Sequence, residues 1–137
     1  YKPKMKNHFI DEKSYPVEAA TYILDNLDIN NIKLYNEYNY GSYLIFRGIP
    51  VFIDSRADLY APEFNPGVEV FNDYMNLSGM NIDNVEEKLD EYGITHMLMY
   101  KKSKLRRFVE QNTEKYNLLY EDDNFCLFER KQIKESV

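Results

Sequence analysis

Tryptophan is absent from this chain and cysteine occurs once, at Cys126, so no internal disulfide can form. The single thiol gives no sign of an oxidising compartment. It lies in the apolar alternation Asn124 to Phe128 with no cation or helix start beside it, which reads as a small buried hydrophobe. The five glycines supply no phosphate-cradling loop: neither GxGxxG nor GxxxxGK followed by Ser or Thr occurs. His8 and His96 are far apart and lack the spacing of a zinc helix, no DxD pair is present, and no serine sits in GxSxG. No metal, cofactor or nucleophile motif is therefore expected. No apolar run approaches the roughly 20 residues that span a bilayer, and no signal peptide is visible. The chain begins at Tyr1 rather than Met, which reads as a piece of something longer.

Positive charge is also in deficit. The net charge of −6 argues against nucleic acid or an anionic membrane surface as partner. The one basic cluster, Lys101, Lys102, Lys104, Arg106 and Arg107, surrounds an expected helix start and reads as a solvated face.

What is present is a core. With 44% hydrophobic and 29% charged residues, the composition is that of a folded chain, with disorder expected only at the ends. A length of 137 residues suits one domain. Residues 1–13 are charged and aperiodic, hence a linker or arm; 14–130 form the domain and 131–137 a tail.

Pro16 suits a first helical turn, with Ser14 or Tyr15 as cap, and Val17, Ala20, Leu24 and Leu27 predict a helix over about 16–27. DNLDINN resembles a calcium loop but lacks its central Gly and closing Glu, so it reads as a turn. Residues 32–36 read as a strand, 41–46 as a short helix closed by Gly48 and Pro50, and 50–54 as a buried strand. Asn65-Pro66 opens a helix with Val68, Phe71 and Met75 on one face, ending at Gly79. Asp83 and Glu86 have capping-box spacing before a helix carrying Val85, Leu89 and Tyr92. Residues 94–100 form a strand, Ser103 caps a helix bearing Leu105, Phe108 and Val109, and YNLLYE and NFCLFE flank a hairpin turn at Asp122 to Asn124. The alternation predicts a single three-layer α/β domain: a mixed, mostly parallel sheet, helices on both faces, and a C-terminal β-hairpin.

Ligands of open α/β sheets bind beyond the carboxyl ends of strands. The expected strands end at Asn36-Glu37 and at Asp54, with Arg56 and Asp58 just after. Asn36, Glu37, Tyr40, Tyr43, Asp54, Arg56 and Asp58 are therefore the candidate substrate-binding residues, with Tyr38 and Tyr60 as further walls. Tyrosine faces with an arginine fork suit a sugar or a phosphate-bearing headgroup. The competing reading is structural: Asp54 caps a turn, Arg56 pairs with Glu37 or Asp58, and the tyrosines are core.

In order, the motifs PVEAATYIL, NEYNYGSYLI, PVFIDSRADLY, LDEYGITHMLM and LLYEDDNFCLFER run from Pro16 to Arg130. This succession resembles the soluble C-terminal domain of bacterial multi-spanning membrane proteins related to lipid-phosphate-sugar glycosyltransferases. More distantly, NEYNYGSYL is similar to the Trp-Trp-Asp-Tyr-Gly segment of oligosaccharyltransferase catalytic subunits; Tyr40-Gly41 match, and Asn36 to Asn39 carry neither the Trp nor the Asp. The resemblance implies an extracytoplasmic domain at the cell membrane whose partner is the membrane-helix portion of the same parent chain. It implies an accessory role, closing the site or binding a glycan or polyprenyl-phosphate sugar, with the catalytic acids elsewhere. Two other readings stay open: a non-enzymatic protein- or glycan-binding module, and a free-standing enzyme using Glu37 and Asp54 as acid and base.

Overall fold

The computed structural model describes residues 15–53 and 67–131, and for 67–69 the backbone alone. The expected arm, Ser14, residues 54–66 and residues 132–137 lie outside the described residues.

Helix α1 (Val17–Asn26) starts from Pro16, which gives no side-chain cap. It buries Ala19, Ala20 and Ile23, while Leu24 on the expected face is 38% exposed. Strand β1 (Leu34–Tyr35) is shorter than the predicted 32–36 because the chain turns into a 3-10 segment (Tyr38–Tyr40) and then helix α2 (Gly41–Phe46). Gly48, at φ 81°, ends that helix in a conformation that disfavours any side chain. Helices α3 (Gly67–Ser78) and α4 (Val85–Glu91) follow, then β2 (His96–Tyr100), α5 (Lys104–Glu110) and the hairpin β3 (Tyr116–Glu121) and β4 (Phe125–Arg130).

The four-stranded mixed sheet has the order β1-β2-β4-β3. Only β1 and β2 are parallel; β2–β4 and β4–β3 are antiparallel. The expectation of a mostly parallel sheet is thus corrected to a mostly antiparallel one. Two causes act together. The hairpin inserts β4 next to β2, and the expected strand at 50–54 does not join the sheet over its described part, 50–53. Pro50 has no N–H to offer a ladder, and the N–H groups of Phe52 and Ile53 are taken by the side chain of Asn36.

Alternation along the strands divides the apolar side chains between two clusters. Leu34, Leu98, Phe125 and Leu127 pack with Ala19, Ala20 and Ile23 of α1 and Leu44 of α2. Tyr35, Met97, Met99, Cys126 and Phe128 pack with residues of α3, α4 and α5. β2 and β4 therefore bury side chains on both of their faces, which is why β2 reads as a near-continuous apolar run.

Local signals resolve at slightly different positions from those expected. In α3, Tyr74 and Leu77 are buried and Met75 is 51% exposed. That helix ends on Met80, at φ 60°, with Asn81 N–H donating to Asn76 O at 2.8 Å; Gly79 instead serves close approach, since a Cβ there would lie 3.2 Å from Met75 O. The cap of α4 is Asn84, whose Oδ1 accepts from Glu87 N at 3.0 Å, one residue beyond the expected box. Ser103 caps α5 as expected. Asp122 organises the hairpin turn, its Oδ1 accepting from Asn124 N and Phe125 N at 2.8 Å each.

Leu98 is fully buried at the middle of the central strand. Leu98→Ala should lower the unfolding free energy by about 2–5 kcal/mol, read as a lower urea midpoint with an unchanged slope.

Candidate functional site

β1 and β2 run parallel, β1 ending at Tyr35 opposite Met97 and β2 continuing three residues further to Tyr100. Asn36 and Glu37 follow β1 directly. Asn36 is fully buried, and both ends of its carboxamide are bonded: Nδ2 donates to Ile53 O at 2.7 Å and Glu37 O at 2.9 Å, and Oδ1 accepts from Phe52 N at 2.7 Å and Ile53 N at 3.3 Å. The side chain does what a neighbouring strand's backbone would do, tying 52–53 to the end of β1.

Glu37 is 5% exposed. Its Oε1 accepts from Tyr100 N at 3.1 Å, which joins the two parallel strand ends. Burial pushes its carboxyl up to about 7, against the opposing pull of the Tyr100 amide and the Ser103 side chain. Tyr40 is wholly buried, donates to Leu98 O at 2.6 Å, and stands edge-on to Tyr100 and Phe125. Burial raises its phenol well above the ordinary value.

The structure therefore brings Glu37 to Tyr40, the Tyr100 amide and the Ser103 side chain, while Asn36 turns to the main chain of Glu37 and of residues 52 and 53. Tyr43 has other company: its hydroxyl accepts from Arg47 Nη1 at 2.6 Å, and that guanidinium reaches Val17 O and Thr21 Oγ1 on α1. Tyr38 packs edge-on against Phe71, and its N–H donates to Tyr74 Oη at 3.0 Å. Asp54, Arg56, Asp58 and Tyr60 lie outside the described residues.

Other sequence candidates resolve as structure. Burial raises the Cys126 thiol to about 12, as befits a core residue. His96 is buried, 2.8 Å from Thr95 Oγ1 through Nδ1, and desolvation lowers its pKa. Asp28 accepts from Asn30 N and Asn31 Nδ2, so DNLDINN is the last residues of α1 followed by a turn at Asp28 to Asn31. Among the described residues no group of His, Cys, Asp and Glu is placed to hold a metal.

Sequence reasoning missed a pocket of about 620 Å³ beside this corner. Its walls are Tyr100 to Ser103 after β2, Arg106 on α5, and Asp123 and Asn124 of the hairpin turn. The basic run around the start of α5 was its sequence signal. Only the topology places the hairpin turn opposite that run.

No family model and no curated protein matches the chain. Among solved structures, the C-terminal globular domain of an oligosaccharyltransferase from Archaeoglobus fulgidus is similar, with a TM-score of 0.60 and 13% identity. The similarity covers 84% of this chain and 95% of that domain. At that identity the likeness is one of fold.

Glu37 carries a pH prediction. Its folded pKa of about 7 lies above the ordinary 4.5, so the folded state binds the extra proton. The associated stability is complete below about 4.5 and is lost as pH rises through about 7, at most about 3 kcal/mol. His96, with a lowered pKa, acts with the opposite sign. Glu37→Gln should therefore flatten the fall in urea midpoint between pH 5 and 8 and exceed the parent at pH 8; parallel curves would contradict this.

Proposed function

We propose that this chain is an accessory domain of a glycosyltransferase-like protein, contributing substrate binding or active-site closure rather than the catalytic acids. The observation that supports the reading is the shared fold: one oligosaccharyltransferase globular domain is matched over 95% of its length. The use of Asn36 and Tyr40 to hold the fold together agrees with a domain built to present a surface rather than to perform chemistry. In this reading the parent is a bacterial multi-spanning membrane protein, and the domain lies on the extracytoplasmic side of the cell membrane. Its partner is then the membrane-helix portion of the same chain, and its ligand a glycan or polyprenyl-phosphate sugar. In this reading Tyr43, Asp54, Arg56 and Asp58 are its substrate-binding residues.

One observation favours a second reading, a free-standing enzyme with Glu37 as acid or base: the carboxyl titrates near neutrality. Against it, that carboxyl is 5% exposed and occupied by the Tyr100 amide, and it is not on the wall of the neighbouring pocket.

Reading the coding sequence upstream of the Tyr1 codon tests the proposal. Several apolar stretches of roughly 20 residues are expected; a start codon directly before Tyr1 would contradict it. Arg56→Ala should keep the parent's stability within about 0.5 kcal/mol and lose binding to a polyprenyl-phosphate-linked sugar in a ligand titration.

A further inference from the structure

We infer that the pocket at the carboxyl end of β2 binds a small hydroxylated phosphate ester, with the phosphate on Lys102. Its place is the first reason. The pocket opens beyond the carboxyl end of β2, between the loop into α5 and the β3–β4 turn, and α/β folds receive ligands beyond the carboxyl ends of strands. Its size is the second: about 620 Å³ accommodates a molecule of sugar-phosphate dimensions.

Charge is the third reason. The chain carries a net −6, yet this pocket is lined by three cations and one acid. Two of the cations are positioned. Glu121 bridges Lys101 Nζ at 3.4 Å and Arg106 Nη2 at 3.3 Å, and Glu110 takes the same Arg106 nitrogen at 3.0 Å. Arg106 Nη1 also donates to Lys101 O at 3.3 Å, fixing the guanidinium against the loop after β2. Lys102 is exposed and makes no ion pair among the described residues. It is the uncommitted point charge that a phosphate would take, with the positioned pair behind it.

The rest of the lining selects what the phosphate is attached to. Asp123 would repel the anion and accept from hydroxyls, so the esterified group faces the hairpin turn while the phosphate faces the basic wall. Tyr100, stacked on Phe125 at 5.1 Å, gives the pocket a rigid aromatic element. A soluble sugar phosphate and a phosphoglycerol lipid headgroup share this chemistry. The inference does not depend on the transferase reading, and it uses none of Asp54, Arg56 or Asp58.

The test is a titration of the 137-residue chain with glucose 1-phosphate followed by backbone amide NMR, with glucose as the uncharged control. Co-sedimentation with phosphatidylglycerol and phosphatidylcholine vesicles runs beside it. Two variants are compared: Lys102→Glu, and Lys104→Glu, which makes the same charge change at an exposed residue off the pocket wall. Saturable shifts centred on Tyr100 to Ser103 and Asn124, weakened about tenfold by Lys102→Glu and little by Lys104→Glu, are expected. Phosphatidylglycerol binding that Lys102→Glu alone removes, without a response to the free ester, supports the same site with a lipid source. The inference is overturned by no response in either arm, by glucose matching its phosphate, or by the two variants behaving alike.

Discussion

A buried carboxyl on a main-chain amide holds this fold at its corner. Glu37 leaves β1 and accepts from Tyr100 N where β2 ends, so the parallel pair is fastened at its open end by a side chain. β1 is only two residues long and offers two register pairs, too few to define an edge strand alone. The neighbouring Asn36 extends the work of β1 outward to residues 52 and 53. Both groups are expensive to bury and inexpensive once bonded. Glu37 lowers the remaining cost by favouring its neutral form, which is why its carboxyl moves toward neutrality.

Much of the architecture was legible because its signals are local. The short helix Gly41–Phe46, the Ser103 cap and the hairpin about Asp122 to Asn124 all follow from turn and cap chemistry within a few residues. Sheet direction was not legible. It depends on β4 pairing with β2 across more than twenty residues, and on residues 50–53 bonding to a carboxamide instead of a strand. Helix faces fell between these cases. Leu24 and Met75 fit an apolar period yet face outward, while Ala19, Ala20, Tyr74 and Leu77 take the buried face. Asp83 and Asn84 are both good cap residues, and the cap falls on Asn84 with Val85 and Leu89 buried.

The candidate site separates along the same line. Residue types and strand ends pointed to Asn36, Glu37, Asp54, Arg56 and Asp58 as a polar group walled by tyrosines; of these the described residues include Asn36, Glu37 and the wall residue Tyr40. Their bonding shows what sequence cannot: the described polar atoms of Asn36 and Tyr40 turn inward to main chain. The concave, charged surface lies one strand away, built from a basic run and a hairpin turn separated by some twenty residues. The fold it shares with an oligosaccharyltransferase domain at 13% identity is a likeness of architecture, and the site has to be argued from its own residues.

The most direct measurement of the corner's chemistry is the pH titration of the Glu37 side-chain carbonyl carbon by NMR in the folded chain. A midpoint near 7, with the Tyr100 amide resonance moving in step, is the predicted result. A midpoint near 4.5, or a Tyr100 amide indifferent to it, would mean that the carboxyl is solvated and that the two strand ends are held by something else.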